Sequence, residues 1–317
     1  MPERAGWLVL ALILNAMIGD PEWLWRRIKH PVVLCNQAVT WLEERLNKGE
    51  PQARRLGGLV AVLALLVGAA LTGWLVECIA ALLPVGALLE IAVAAVFLAQ
   101  GSLAQHVRAV ARGLAESLEE GRRQVARIAG GDTRTLDESG VARTVIEATA
   151  DRFADGVVAP VLFYLVLGLP GLLAYKAVSI ADSILDRRNE RYEDFGCVAA
   201  KLAALANYIP ARLSGLLLVA AAFLDRRDGR QAFNAMVTDA GKHNSPNAGW
   251  PEAAMAGALD LSLAGPRTYG GEIVMDAWMH PAGRRDCGAA DIHAALRLFW
   301  LACAVQGVTV ALIWLVF

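Results

Sequence analysis

Two long apolar runs constrain the fold of this chain more than any other feature of its sequence. They extend from Gly57 to Val76 and from Ala294 to Phe317. A bilayer core about 30 Å thick is crossed by about 20 mostly apolar helical residues, so each run is long enough to span it. In lipid, backbone groups must be satisfied internally, and a helix does this within one segment. The runs therefore predict membrane-spanning helices.

Two more segments have this character. Ile79 to Ala99 is interrupted by Pro84 and Glu90, which predicts a kinked or interior-facing span. Gly6 to Gly19 is short, but its end offers no small-x-small cleavage site, and charged residues follow at once. We interpret it as a helix of the mature protein. The sequence thus predicts about four spanning helices.

Composition agrees with a membrane protein and excludes one class of partner. Of the 317 residues, 56% are hydrophobic and 19% are charged, and mean hydropathy is +0.43, which is rare in a soluble domain of this length. The net charge of −1 shows no basic excess of the kind that binds nucleic acid. The expected large partner is a lipid bilayer.

Basic residues predict the orientation in the membrane. Four stretches, 20–56, 100–156, 176–212 and 224–293, hold 28 of the 30 Lys and Arg residues, whereas the connection from Glu77 to Leu83 holds none. Short loops rich in Lys and Arg stay on the cytoplasmic side. We therefore expect these stretches inside a bacterial cytoplasmic membrane, and the N-terminus, Phe317 and the Glu77 connection outside.

One apolar segment conflicts with a simple crossing. A single span from Val157 to Tyr175 would place the basic residues after it outside, and a Gly-Leu-Pro-Gly sequence at 168–171 interrupts it. Proline cannot continue a helix without losing a hydrogen bond. The segment is therefore predicted to enter and leave the membrane as a broken, re-entrant hairpin. Leu213 to Leu224 is too short to span alone and is expected to pack beside it.

The remaining segments are amphipathic. Gln105 to Ile128 carries apolar residues at helical spacing and is predicted to be one long helix that ends at Gly130 and Gly131. No internal repeat or linker divides the chain. The predicted fold is all-α: one multi-pass membrane domain, 1–317, with about four spanning helices, a broken re-entrant hairpin and amphipathic cytoplasmic helices.

Polar residues that could carry chemistry concentrate in three blocks, at 143–160, 175–212 and 239–252. Carboxylates beside basic side chains could hold Mg²⁺ and the phosphates of a nucleotide, because Mg²⁺ prefers one or two carboxylates plus phosphate oxygens. Within them, we expect residues 151–156, 176–192, 207–212 and 239–252 to converge on one cavity at the cytoplasmic membrane face, since such groups are costly in lipid.

Each candidate also has a purely structural explanation. Lys176 ends an apolar run and could snorkel to the interface, Asp182 could cap a helix, Asn247 could belong to a turn, and His243 could be a surface residue. No Walker loop, H-E-x-x-H or G-x-S-x-G motif occurs. The residues alone indicate a membrane protein with a polar site and leave its reaction open.

The blocks nevertheless resemble those of one family, the CobD/CbiB adenosylcobinamide-phosphate synthases of cobalamin biosynthesis. The resemblance extends from about Gly19 to Asp291. The matching stretches are His30-Pro31-Val32, Gly130 with Asp132-Thr133 and Leu136-Asp137, Asp155-Gly156-Val157-Val158-Ala159-Pro160, Tyr175-Lys176-Ala177-Val178, Asp182-Ser183, Asn189-Glu190-Arg191-Tyr192, Asn207-Tyr208-Ile209-Pro210-Ala211-Arg212, residues 245–259 beginning Ser245-Pro246-Asn247-Ala248-Gly249-Trp250-Pro251-Glu252, and Gly265-Pro266 with Tyr269-Gly270-Gly271.

This resemblance implies an amide ligase that uses ATP and Mg²⁺. Its substrates would be the corrinoid adenosylcobyric acid and aminopropanol phosphate or a related amino alcohol. ATP would convert a carboxylate to an acyl phosphate, which the amine then attacks. Cationic groups would offset the phosphoryl charge, and a base would accept the proton of the amine. Other membrane-bound enzymes of the pathway and further copies of the chain are partners that the resemblance leaves open.

The resemblance also implies roles for particular residues. The catalytic candidates are Asp155, Asp182, Glu190 and Lys176, of which Asp155 and Asp182 would hold the metal. The candidates for binding substrate and nucleotide are Asn189, Arg191, Tyr192, Asn207, Arg212, Lys242, His243, Ser245, Asn247 and Glu252.

The chain departs from the family pattern at several positions. Ala203 and Ala204 stand where the family has two aspartates, and Asp151-Arg152-Phe153-Ala154 stands where it has Glu-Asn-(Thr/Ser)-Ser. Two functions are therefore carried forward: the ligase, and a diverged, non-catalytic membrane protein of the AmpE type that binds a ligand or signals. A transporter fits less well, because the polar blocks lie in the predicted cytoplasmic loops.

Overall fold

The computed structural model describes residues 2–129, 133–185, 191–269 and 272–316, and it confirms an all-α fold. The helices are α1 (Pro2–Ile18), α2 (Glu22–Trp25), α3 (Pro31–Leu46), α4 (Pro51–Leu82), α5 (Gly86–Phe97), α6 (Gln100–Glu116), α7 (Leu118–Val125), α8 (Glu138–Phe153), a π-helix (Ala154–Val158), α9 (Ala159–Ile184), α10 (Cys197–Ala206), α11 (Tyr208–Leu224), α12 (Gly229–Asp239), a 3₁₀ turn (Ala240–Lys242), α13 (Gly249–Leu259) and α14 (Ala289–Val316).

The predicted multi-pass character is confirmed. Among the described residues, four helical stretches are long and apolar enough to cross a membrane: Pro51–Leu82, Gly86–Glu116, Glu138–Ile184 and Ala289–Val316. The predicted span Gly6 to Gly19 is not one of them, because its helix α1 has only 17 residues. The third predicted span, Ile79 to Ala99, had the wrong bounds. Helix α4 continues to Leu82 and α5 begins at Gly86, so the connection is residues 83–85 with Pro84 at its centre. Proline there ends one helix before the next begins.

The chain divides into two compact units. Unit 1 comprises Met1–Leu98, Ala159–Asn207 and Ile313–Phe317, and unit 2 comprises Ala99–Val158 and Tyr208–Leu312. In unit 1, helices α4 and α9 pack along each other. A second cluster in this unit joins Val39, Ala61, Val62 and Leu185 around the fully buried Phe195. Each unit therefore draws on segments that are distant in sequence.

The predicted hairpin is confirmed within α9. Gly168 has φ +70° and ψ −156°, a conformation essentially restricted to glycine, so the helix is broken there. On either side of the break, Phe163 and Tyr175 stack with ring centroids 4.8 Å apart. Twelve residues of continuous helix would separate them by about 18 Å. The two halves of α9 therefore fold back on each other.

The tip of this hairpin lies at one end of unit 1. Oε1 of Glu77, near the end of α4, is 3.5 Å from Nη2 of Arg4 and accepts a hydrogen bond from the backbone N–H of Leu169. The Trp314 indole lies against Gly6, where an added Cβ would be 3.0 Å from its Nε1. The first turns of α1, the end of α4, the hairpin tip and the end of α14 thus lie at the same end of unit 1.

Unit 2 is built around one apolar core that includes Phe153, Leu218, Met255 and Phe299. The predicted single helix from Gln105 to Ile128 is wrong, because α6 ends at Glu116 and α7 begins at Leu118. Ser117 between them is extended, and its hydroxyl accepts a hydrogen bond from the N–H of Glu120. Ser117 and Glu120 have the spacing of a capping box, which begins a new helix. The predicted end at Gly130 lies outside the described residues.

The rest of unit 2 positions the polar blocks. Helix α11 is longer than the predicted 213–224 segment and packs on α12 and α13. After α13 the chain forms two short antiparallel pairs: β1 (Leu263–Ala264) with β4 (Trp278–Met279), and β2 (Arg267–Tyr269) with β3 (Glu272–Val274). The β1–β4 pair follows α13 and brings the chain back toward the loop that precedes α13.

Candidate active site

A π-helix presents the Asp-Gly block of unit 2. Helix α8 ends at Phe153, and residues Ala154–Val158 form one π-helical turn that contains Asp155. Such turns are rare and recur at functional sites, because the extra residue redirects the side chains around it. Asp151 lies four residues before Asp155, so the two carboxylates belong to successive turns. Neither belongs to the apolar hairpin that follows.

The electrostatics of Asp151 identify a crowded acidic site. Asp151 is an exposed residue, and desolvation by neighbouring protein atoms is the largest cause that raises its pKa to about 7. The negative charges of Asp155 and Glu252 raise the pKa further, while Arg152 and His243 oppose the shift. Like charges disfavour ionisation of one another, so a cation is favoured here.

The loop before α13 brings a histidine between two more carboxylates. Nε2 of His243 lies 3.4 Å from Oε2 of Glu252 and 3.5 Å from Oδ2 of Asp276. Its other nitrogen, Nδ1, accepts a hydrogen bond from the backbone N–H of Ser245 at 2.9 Å. In the neutral ring the proton is therefore on Nε2, facing both carboxylates.

Short-range hydrogen bonds hold this loop in place. The Ser245 hydroxyl accepts bonds from the N–H groups of Asn247 and Ala248, just before α13 begins. Asn244 donates its backbone N–H to Oδ1 of Asp276 and its side-chain amide to the carbonyl of Met275. Ser245 and Asn247 thus shape the loop that carries His243.

Arg212 of α11 lies beside α13, the helix that follows this loop. The guanidinium of Arg212 lies 3.4 Å from the ring centroid of Tyr208 and 4.5 Å from that of Trp250, and its Nη1 donates to the carbonyl of Tyr208. This stacking fixes the plane of a group suited to bidentate binding of phosphate or carboxylate. Lys242, another predicted phosphate ligand, instead pairs with Asp239, at 2.6 Å. Of the predicted blocks, 151–156, 239–252 and residues 208–212 belong to unit 2, whereas 176–192 and Asn207 belong to unit 1.

In unit 1, Lys176 lines an apolar cavity of about 540 Å³. Among the described residues that line it, Lys176 is the only charged one. The cavity is formed by Pro31, Leu34, Cys35, Ala38, Trp41, Leu42, Ala64, Leu65, Gly68, Ala69, Thr72, Phe97, Leu173, Lys176, Ala177 and Ile180. A cation at the edge of an apolar cavity fits either an anionic group of a ligand or an interface anchor.

The other predicted residues of unit 1 have varied surroundings. The hydroxyl of Tyr175, next to Lys176, donates to Oδ1 of Asn207 at 2.9 Å, so these two blocks meet. Arg191 forms a two-pronged pair with the buried carboxylate of Glu43, at 2.8 and 3.0 Å, which gives it a structural partner. Tyr192 packs on the cluster around Phe195. Asp182 is half-buried in the last turn of α9.

Asn189 and Glu190 lie outside the described residues.

Three of the departures from the family pattern have structural explanations. Phe153 is fully buried and packs edge-on against Phe299 in the core of unit 2, and the Arg152 guanidinium donates two hydrogen bonds to the carbonyl of Ile128. Ala203 is buried in α10.

Sequence reasoning missed two residues of the unit 2 site. Asp151 was counted among the departures, although it stands where the family has Glu and so retains a carboxylate. The i, i+4 spacing to Asp155 was the available signal. Asp276 follows a short strand and belongs to no matching block, and its approach to His243 depends on the β1–β4 pairing. No local pattern predicts that contact.

Comparison with known proteins now assigns the family. A profile described as "CobD/Cbib protein" matches residues 8–299, which include every polar block described above. The chain belongs to the CobD/CbiB family.

Relatives within this family are similar over nearly their whole length. The chain is 48% identical to the cobalamin biosynthesis protein CobD of Brucella suis over 302 residues, covering 92% of this chain and 91% of that protein. It is 48% identical to CobD of a Sinorhizobium species, covering 94% of each, and 38% identical to CobD of Rhodobacter capsulatus, covering 98% and 97%. No solved structure matches. Membership places the chain among the proteins of cobalamin biosynthesis.

Proposed function

We propose that this chain is an amide ligase of cobalamin biosynthesis that uses ATP and Mg²⁺ to join adenosylcobyric acid to aminopropanol phosphate or a related amino alcohol. The observation that carries the proposal is the cluster of Asp151, Asp155, His243, Glu252 and Asp276 in unit 2. Amide formation from a carboxylate and an amine needs a phosphoryl donor, bound cations and a proton acceptor. The carboxylates of the cluster could bind the cations and accept the proton.

The donor set of Asp151 and Asp155 fits Mg²⁺. No group of three His, Cys, Asp or Glu residues in the described part of the chain has the spacing of a metal cage. Mg²⁺ does not need one, because it keeps several waters and binds through one or two carboxylates together with phosphate oxygens. When bound, it would offset the negative charge of the transferred phosphoryl group. Asp182, the other metal candidate from the sequence, belongs to unit 1 and is not part of this donor set.

The remaining candidates divide by charge. Arg212, held flat between two aromatic rings, would bind a phosphate or carboxylate through parallel hydrogen bonds. Lys176 would meet an anionic group at the edge of its apolar cavity. Asn207, bonded to Tyr175, and the loop of Ser245 and Asn247 would orient substrate. In this proposal the basic side chains bind anionic groups of the substrates, and the amide and hydroxyl side chains orient them.

The proposed location is the bacterial cytoplasmic membrane, with the polar blocks facing the cytoplasm. The Lys and Arg distribution supports this orientation. So does the position of Arg4, Glu77 and Trp314 at the same end of unit 1, because all three belong to parts predicted to lie outside. ATP would then reach the site directly.

The deciding experiment measures ADP release by the purified chain with adenosylcobyric acid, aminopropanol phosphate, ATP and Mg²⁺, together with amide formation by mass spectrometry. We expect ADP release that depends on both substrates, and its loss in Asp155→Asn. A folded preparation that binds corrinoid but releases no ADP at any Mg²⁺ concentration would establish the non-catalytic alternative.

A further inference from the structure

A buried carboxylate in unit 2 holds two arginines together. Asp225 follows the last residue of α11, and its side chain is only 3% exposed. Its Oδ2 accepts a hydrogen bond from Nε of Arg227 at 2.7 Å, and its Oδ1 lies 2.6 Å from Nε of Arg297, on α14. Because Oδ1 accepts no hydrogen bond from a described residue, the second contact is an ion pair. One negative charge is thereby shared between two positive ones.

Both guanidinium groups have donors left for a second anion. Each contact with the carboxylate uses Nε, and among the described residues no further hydrogen bond or ion pair involves Arg227 or Arg297. The side chain of Arg297 is 71% exposed. A guanidinium presents its N–H groups as a planar fork that matches a phosphate or a carboxylate. Residues 225–230 together with Arg297 carry a net charge of +2, so this turn favours an anion.

The arginine pair lies at the boundary of a membrane span. Helix α14 is one of the helices that are long and apolar enough to cross a bilayer. Residues 298–317 contain no Asp, Glu, Lys or Arg, and a helix of these 20 residues rises about 30 Å, the thickness of the apolar core. Arg297 directly precedes this stretch. Its guanidinium is therefore expected at the level where the lipid headgroups begin.

Exposed apolar side chains flank the same turn. Phe223 and Leu224, the last two residues of α11, are exposed. On α12, Phe233 and Val237 are exposed as well, and their spacing from Arg230 places all three along one side of the helix. The rest of α12 packs on α11 and α13. Apolar side chains beside cations are typical of a helix that lies in the membrane interface.

We propose that Arg227 and Arg297, positioned by Asp225, bind the phosphate of an anionic phospholipid whose acyl chains lie along the exposed apolar residues of α11 and α12. The phosphate supplies the negative charge that the two guanidinium groups still lack, through charge-assisted hydrogen bonds. A soluble phosphate ester offers the same charge but covers none of the apolar surface. An acidic segment of a protein has the same shortcoming. A lipid of the surrounding bilayer satisfies both features of the turn.

The test measures the melting temperature of the full chain in detergent as a probe is added, because a ligand that binds the folded state raises this temperature. The probes are phosphatidylglycerol, which is anionic, phosphatidylcholine, which has no net charge, and glycerol 3-phosphate, which has no acyl chains. We expect phosphatidylglycerol to raise the melting temperature of the parent more than phosphatidylcholine does. Glycerol 3-phosphate should leave it unchanged.

Arg297→Gln should raise the concentration of phosphatidylglycerol that gives half of this shift by about tenfold or more, because charge-assisted bonds are lost. Arg227 still pairs with Asp225 in this variant. Arg284→Gln is the matched control, since Arg284 is also exposed and pairs with a single carboxylate, Asp291, at 2.8 Å. Asp291 lies six residues before Arg297 on α14, about 9 Å further from the apolar span. The control should bind phosphatidylglycerol as the parent does.

Three results would contradict the lipid site. Equal shifts with the two phospholipids would show that the turn does not recognise negative charge. A shift with glycerol 3-phosphate at the concentration that suffices for phosphatidylglycerol would assign the arginines to a soluble anion. Parent-like affinity of Arg297→Gln for phosphatidylglycerol would show that the arginine pair does not contact the lipid. If Arg297→Gln fails to fold, Arg227→Gln takes its place.

Discussion

The carboxylate of Glu77 accepts a hydrogen bond from the backbone N–H of Leu169 at 2.9 Å, and this bond closes the tip of the hairpin in α9. It satisfies one of the N–H groups that the start of the second half would otherwise leave without a partner in an apolar region. Gly73 allows the close approach, because a Cβ there would lie 2.5 Å from the nitrogen of Pro170. The tip therefore depends on backbone that only glycine can supply.

The first prediction concerns Gly168. Alanine there would have to adopt φ +70°, and its Cβ would overlap the Glu77 carboxylate. We expect Gly168→Ala to lower the free energy of unfolding by about 1–3 kcal/mol. The melting temperature of the chain in detergent measures the effect.

Gly307→Ala is the matched control, because Gly307 lies within helix α14 and a Cβ there meets nothing within 4 Å. It should leave the melting temperature unchanged or raise it slightly, since alanine favours helix. Equal melting of Gly168→Ala and the parent would mean that the hairpin tip is not constrained as described.

The second prediction separates the two explanations of Lys176. If its ammonium binds an anionic group of a substrate, Lys176→Met should abolish ADP release while the melting temperature changes little, because Met preserves apolar packing in the cavity. If Lys176 only anchors the helix at the interface, the variant should keep its activity. Thr72→Val is the control, since Thr72 lines the same cavity and its hydroxyl donates to the carbonyl of Gly68 in its own helix.

The third prediction follows from the raised pKa of Asp151. The folded protein holds this proton to a pKa of about 7, whereas an unfolded aspartate has a pKa near 4. The contribution of Asp151 to the free energy of unfolding is therefore lost as pH rises from about 4 to 7. Asp151→Asn removes the loss, so the variant should melt higher than the parent at about pH 8 and similarly at about pH 4.

The contribution of Asp151 should be modest, because its surface is open to solvent and exposed charges are screened. A difference in melting temperature between variant and parent that does not change with pH would contradict the assignment. Asp228→Asn is not a suitable control, since Asp228 caps α12 through the N–H of Gln231. Asp286→Asn, on a connection before α14, serves better.

The sequence predicted most of the fold because lipid imposes strong, local rules. Apolar length predicted the two longest runs, Gly57 to Val76 and Ala294 to Phe317, as spans, and the Gly168–Pro170 sequence with the Lys and Arg distribution predicted the hairpin. The error at Gln105 to Ile128 arose because apolar spacing continues across Ser117 and hides the break. Ser117 and Glu120 form the capping signal that reveals it.

The site was less predictable, because its contacts join residues far apart in sequence. Family resemblance identified His243 and Glu252 as candidates but could not show that Asp276 faces them. It also identified Arg191, which pairs with the buried carboxylate of Glu43 on α3. Pairings of this kind depend on tertiary packing, which no local spacing encodes.

The last prediction addresses Ala203 and Ala204, where the family has aspartates. Ala203 is only 3% exposed, so Ala203→Asp places a carboxylate among apolar atoms and should lower the melting temperature strongly. Ala204 is half-buried, and Ala204→Asp should be tolerated. If Asp151 and Asp155 hold Mg²⁺ as proposed, neither change should raise ADP release more than slightly at saturating Mg²⁺. Melting curves and Mg²⁺ titrations of ADP release for the parent, the two single variants and the double variant measure both effects. A double variant that is as stable as the parent and far more active would show that this chain lacks ligands the reaction needs, and that its metal lies at α10 instead.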